Sequence, residues 1–450
     1  MRKIFALTMT LLLAAACVQQ APQQTNAPAA NAPSDQAFKT ADDAYAREFL
    51  RRYPTVNTYL GGAGLDPALR EVDGTLRDWS PAAIESEDRW LTDTQKIFQG
   101  IAPDTLSPSV RIDREVVLAQ INFMLHQHQV RRYQERALDT YVNEPFRALD
   151  FYMQGMTKTG DTTYGTPDEW ALVVRRVQAT PHYLQVAQDQ LSAGVKSGNT
   201  PDWRMLKREG LDSTTADADY FEKKLPDIAA KDFAPSPQRD DLLKQLGDAS
   251  KGAADAYRKF HDFIKSTFFN ADAPNVNTAN FIDTVKPEFQ KDHFAMGEDE
   301  YNWALKNNLR MDKAAAQLYD EAWPIVQQTQ ADMVKLAREI GPKHSLTLPA
   351  DDQAAVRAVL NELSKDYPKS DAEEVSWYKD AGLRLVDYAR KTGIFDVPAD
   401  YKLDVVETPP PLRASIEGAA YYPAPPFKNS GVGRFYVTTS GKNDPAELKA

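Results

Sequence analysis

Cysteine occurs once in the 450 residues, at Cys17, so no disulfide can form within the chain. Once that thiol is modified, no cysteine nucleophile is left. Histidine is scarce too, and none of the six, at positions 126, 128, 182, 261, 293 and 344, is followed by glutamate. That excludes a His-Glu-x-x-His zinc motif within these residues. His126 and His128 fall in a stretch that reads as helix, where a two-residue spacing points them about 200° apart, away from any shared metal. No serine sits in a Gly-x-Ser-x-Gly elbow, because Lys428 and Val432 flank Ser430 where glycines are needed. The glycine-rich Gly61–Pro67 has no strand before it and no Lys-Ser or Lys-Thr after it, so it reads as a turn and not a phosphate loop. Basic runs stop at two residues, as at Arg131-Arg132, and the net charge is −11. Nucleic acid, which needs a basic face, is excluded as a partner. No internal repeat of fixed period is present.

What is there begins with MRKIFALTMTLLLAAAC. Arg2 and Lys3, an apolar run from Ile4 to Leu13 and three alanines before Cys17 form a secretory signal, because the run is too short to cross a bilayer. Cys17 sits where a bacterial lipobox places the acylated residue, with Ala14 at the position that usually holds leucine. Acylation there predicts a protein lying on a membrane and held by its lipid alone. Val18 in place of aspartate points to the outer membrane, facing the periplasm. Residues 18–37, rich in Gln, Ala, Pro and Asn, form a tether too poor in large apolar groups to fold.

From Phe38 to about Lys391 the spacing is helical. Ser80-Pro81 supplies a cap and a first-turn proline. Val110–Tyr133 reads as a long helix with Ile112, Val116, Ala119, Phe123 and Val130 in its apolar content. Two helices are predicted at Pro167–Ala179 and Pro181–Ala193, and Pro237–Phe269 carries a stripe from Leu242 through Leu246, Ala253, Tyr257 and Phe260 to Ile264. Residues 198–235 are polar with weak periodicity, as a subdomain break would be. Glu298, Asp299 and Glu300 begin a helix, where carboxylates suit the dipole. Asp312–Ile340 keeps one stripe in register across Pro324, predicting a single kinked helix stopped by Gly341-Pro342. Asp351–Tyr367 and Ser370–Lys391 complete the helical series.

The architecture changes at Tyr401. Pro409–Pro411 and Pro423–Pro426 frame a segment that cannot be helical, and Gly433–Thr439 alternates as a strand. Gly433, Arg434, Phe435, Tyr436, Val437 and Thr438 form this strand, with no apolar run after it to pair with. The fold class expected is therefore mainly α: a multi-helix body, a late proline-rich segment, and an incomplete C-terminal sheet edge that leaves the surface flanking Phe435 and Val437 exposed.

Four stretches carry a family resemblance: RRYPTVNTYLGG with LRDWSPAAI, MGEDEYNWALKNNLRM, the long helix to Ile340, and YKLDVVETPPPLR through YYPAPP to GRFYVTT. Together they resemble the bacterial family called domain of unknown function 885, whose members look like zinc metallopeptidases of the gluzincin clan. The resemblance spans Arg51 to Thr439. It implies a signal segment at 1–17, a tether at 18–37, and at 38–450 a helical body lacking its C-terminal part. In such family members a helix with the zinc motif follows the strand. Here the resemblance implies no catalytic or metal residue and no cofactor in this chain, with zinc only if the chain continues beyond Ala450. The strand Gly433–Thr438 would be the edge on which an extended peptide substrate lies; plain core structure is the other reading. The function expected is the N-terminal portion of a lipid-anchored envelope protein resembling zinc-dependent peptidases, inactive as given. The alternative is a non-catalytic binding or scaffold lipoprotein.

Overall fold

The computed structural model describes residues 33–270, 281–399, 401–409, 412–413, 416, 418–428 and 432–439. Cys17, the signal segment, most of the expected tether and residues 440–450 lie outside the described residues. Helix α1, Pro33–Arg52, begins ahead of Phe38. It is followed by α2 (Pro54–Leu60), α3 (Pro81–Gly100) and α4 (Pro108–Gln129). The cap read at Ser80 is present: its hydroxyl accepts from the Ala83 amide at 3.3 Å. Phe38, Tyr45, Leu91, Phe98, Ile121 and Met124 join α1, α3 and α4 into a first core. Ile112, Val116 and Val130 of the long helix are instead exposed, and its buried face runs through Val117, Leu118, Ile121 and Met124.

A larger core is built from α5 (Leu138–Gln154), α6 (Pro167–Ser197) and α10 (Arg239–Phe268). The two helices predicted around Pro181 are one. Trp170, Val173, Val174 and Val177 before the proline and Leu184, Ala187 and Leu191 after it are all buried. Burying each such side chain stabilises by roughly 1.5–3 kcal/mol, which together exceeds the roughly 3 kcal/mol cost of an interior proline. The capping box of Thr166 with Glu169 starts α6, and Gly198 at φ 75° ends it. The stripe of α10 is buried from Leu246 to Phe268 as its spacing indicates.

Residues 198–235 hold no break. Helices α7 (Trp203–Lys207), α8 (Thr214–Asp219) and α9 (Leu225–Asp232) are joined by π-helical turns at Arg208–Ser213 and Tyr220–Lys224. Leu206, Leu211, Phe221, Leu225 and Ala229 all belong to the larger core. Each π turn shifts the phase of the helix, so the apolar residues of a buried segment lose their regular spacing.

After α11 (Glu298–Asn307), α12 runs unbroken from Ala315 to Lys343 through Pro324 and past Gly341-Pro342. Its apolar stripe is largely uncovered: within the helix only Ala337 and Gly341 are buried. Helices α13 (Asp352–Leu363) and α14 (Asp371–Thr392) follow, capped by Asp351 and Ser370.

Strands β1 (Leu403–Glu407), β2 (Ala419–Tyr422) and β3 (Gly433–Val437) form a sheet in the order β1-β3-β2, with β1 parallel and β2 antiparallel to β3. The expected edge strand is therefore the central one. Its partners lie earlier in the chain, in the extended run after Tyr401 and between the two proline clusters. Val437 and Tyr436 are both 0% exposed, against the open surface expected to flank Val437. Tyr436 turns to the helical body, where its hydroxyl donates to Asp150 at 2.5 Å and accepts from Gln154 at 2.6 Å. Half-buried Phe435 packs on Tyr378 of α14.

The glycine-rich turn is the seat of the proline-rich segment. Gly61 adopts φ 73°, and a side chain on Gly64 would overlap the Phe427 carbonyl. The Phe427 amide donates to Leu60 O at 3.1 Å, and Lys428 Nζ donates to Gly155 O.

Candidate functional site

The strand residues singled out in the sequence are spread over two faces and an interior ladder. Both backbone edges of β3 are occupied, by β1 and β2. A peptide strand can add only at β1 or β2. Arg434, half-buried, lies near the ring of Tyr436, and Thr438 Oγ1 bonds Thr408 Oγ1 at 2.8 Å and Ile416 O at 2.5 Å. These residues tie the sheet to itself and to α5.

A concave feature of the helical body lies nearer the start of α5. A cavity of about 620 Å³ opens among Tyr53 to Val56 at the start of α2, the Arg77–Trp79 loop, the last turns of α4, the first half of α5, and Arg208 and Glu209. Arg77 is buried on its floor. Its guanidinium lies between the rings of Tyr53, 4.0 Å away, and Trp79, 3.7 Å away, a stacked cation–π arrangement. Arg77 Nη2 donates to Glu87 at 3.1 Å and approaches His128 Nε2 at 3.3 Å, and Tyr53 OH donates to the same Glu87. Since Arg77 can only donate, His128 Nε2 accepts, and its Nδ1 carries the proton toward Asp88, 2.7 Å away.

The other wall carries carboxylates. Glu144 accepts from Thr55 and Tyr183, both at 2.9 Å, and Asp139 accepts from Tyr133 at 2.8 Å. Glu209, 1% exposed on the first π turn, accepts from Arg208 at 2.6 Å. Burial pushes its carboxyl up to about 7 against the pull of Arg208. The cavity thus combines aromatic faces, guanidinium groups and a carboxyl poised near neutrality, all on helical supports.

Comparison with protein-family models matches residues 54–448 to the bacterial proteins of unknown function designated DUF885. The chain belongs to this family. Two solved structures share the DUF885 chain's fold. One is "a putative lipoprotein of unknown function from Shewanella oneidensis", with TM-score 0.60, 17% identity, and coverage of 92% of this chain and 66% of that one. The other is "the putative lipoprotein from Colwellia psychrerythraea", with TM-score 0.59, 14% identity, and coverage of 92% and 69%. The chain thus spans about two thirds of the length of each. No curated protein matches the sequence.

Among the described residues of this DUF885 chain, no group of three or more His, Cys, Asp or Glu side chains could hold a metal ion. The zinc implied by the family resemblance therefore has no ligand set there. His126 stacks on Trp303, with ring centroids 3.5 Å apart, and bonds Glu300 at 2.9 Å, while His128 serves the Arg77 floor. Glu300, read as a helix-terminus charge, also binds α11 back to α4. The cavity residues were not legible in sequence: Arg77, Glu144, Arg147 and Glu209 sit in no motif, and only long-range packing assembles them.

Proposed function

We propose that this DUF885 chain is the peptide-holding portion of a lipid-anchored cell-envelope protein, with the cavity as the site that receives the peptide. The observation that carries the reading is the cavity itself. At about 620 Å³ it falls in the usual range for ligand pockets, roughly 300–1,000 Å³, and it offers cation, carboxyl and aromatic groups to a ligand with charged ends and an amide backbone. Equilibrium dialysis of the chain against unlabelled tripeptides tests it. Saturable uptake by one site is expected; no retention of any peptide rejects the reading.

The resemblance to zinc peptidases extends the proposal. Hydrolysis by a zinc-bound water is the activity that the resemblance implies, and in this reading the residues of this chain hold the substrate. The uncovered apolar faces of α12 and α14 offer surface for a further apolar contact. Stoichiometric zinc in the native protein, lost with peptidase activity on chelation, is the expected result. The second reading is a non-catalytic binding or scaffold lipoprotein, favoured by the lack of a metal-ligand group among the described residues. A zinc-free product that still binds peptide would select it.

Anchoring is proposed through acylated Cys17 at the outer membrane, facing the periplasm, in keeping with what the neighbours are called. No helix among the described residues is long and apolar enough to cross a membrane. Cys17→Ala is expected to move the protein from the membrane to the soluble fraction without changing its melting curve.

A further inference from the structure

Arg147 lies on the cavity wall, on α5, between two carboxylates of its own helix: Glu144 three residues before and Asp150 three residues after. At that spacing an arginine ordinarily pairs with one of them. Here neither is bonded to it: Glu144 is fully engaged elsewhere, and Asp150, which feels the Arg147 charge only at a distance, is engaged through one oxygen. Glu144 uses one oxygen for Thr55 and the other for Tyr183, and Asp150 Oδ2 takes Tyr436 and Gln154. Arg147 makes no ion pair or hydrogen bond among the described residues, and its Nε is buried without an acceptor. The other lining cations differ: Arg77 is held by Glu87, Arg131 by Glu300 at 3.4 Å, and Arg208 by Glu209. A half-buried guanidinium left unpaired is costly unless an anion completes it, and its fork of donors matches a carboxylate in a bidentate grip.

We propose that Arg147 is the anchor for a peptide carboxylate in this cavity. The inference rests on the reading of the cavity as a peptide site and names the group that the site recognises. Two sources share the chemistry: the C-terminal carboxylate of the peptide and an acidic side chain within it. Trp79 on the cavity wall supplies a fluorescence signal.

The test titrates the full chain with trialanine, with trialanine amide, and with an amidated tripeptide carrying a central glutamate. Trialanine is expected to bind at least ten-fold more tightly than its amide. If the glutamyl amide recovers the affinity, the site takes either carboxylate; if it does not, the site reads the chain terminus. In Arg147→Gln the acid and the amide are expected to bind alike, and in Arg147→Lys part of the preference returns. Equal binding of acid and amide by the unaltered chain, or an unchanged preference in a folded Arg147→Gln, overturns the inference and leaves peptide binding standing. Binding of none of the three overturns the peptide reading as well.

Discussion

Glu209 holds its carboxyl where water barely reaches, with one oxygen on Arg208 and the other without a partner. Burial raises it from the ordinary 4.5 to about 7, so the folded chain binds this proton more tightly than the unfolded chain does. The stability it contributes is therefore fully present below pH 4.5 and is lost as pH rises through 7. At the roughly 1.36 kcal/mol that each pH unit carries, the loss between pH 4.5 and 7.5 is about 3 kcal/mol. Glu209→Gln has no proton to lose. Denaturant melts at pH 4.5, 6 and 7.5 should show the unaltered chain falling by about that amount relative to the variant, and parallel curves would contradict the assignment. Buried Asp217, whose two oxygens lack partners, is pushed well up by burial in the same sense. Its helix-to-helix setting lay in the stretch whose sequence looked least ordered, so neither acid could be picked out in advance.

At the scale of elements, the closure of the fold depends on Gly61–Gly64. The sequence marked this stretch as a turn, correctly, but a turn in isolation does not reveal what rests on it. The Phe427 carbonyl occupies the space that a Gly64 side chain would need. Gly64→Ala should thus expel residues 425–428 and break the Phe427–Leu60 and Lys428–Gly155 bonds. A cost of about 1–3 kcal/mol is expected from the overpacking. Hydrogen exchange should rise at the Phe427 and Lys428 amides while α6 and α10 keep their protection; unchanged exchange there would refute the contact with Gly64. The same distinction explains which elements were legible. The α10 stripe and the continuity of α12 across Pro324 follow from local spacing. Pro181 was misread as a break because the deciding term, burial on both of its sides, is tertiary. The π turns at 208–213 and 220–224 hid a core segment by shifting its period. Strand β3 was found as a strand but misplaced as an edge, since sheet order is set by partners about fifteen and thirty residues away.

Across the whole molecule, apolar surface is distributed unevenly. Among the described residues, nineteen of the twenty-four exposed large apolar side chains lie at or after Phe294, so the asymmetry is not the scatter of single residues usual on a protein surface. On α12, Tyr319, Trp323 and Val326 share one helical face, with Tyr319 67% exposed and stacked on Trp323. On α14, Leu385 and Tyr388 stand 65% and 58% exposed, and Phe395 beyond its end is 70% exposed. Helices with so regular a stripe bury it against something. With these faces uncovered, the chain is expected to self-associate as its concentration rises. Substituting Val326→Lys together with Leu385→Lys should weaken that association in sedimentation velocity. The melting temperature should hardly move, because both sites are exposed and such changes lie within about 0.5 kcal/mol. Association that survives both charges would place its source elsewhere on the molecule and remove these faces from the proposal, while leaving the Arg147 cavity, on the opposite part of the sequence, untouched.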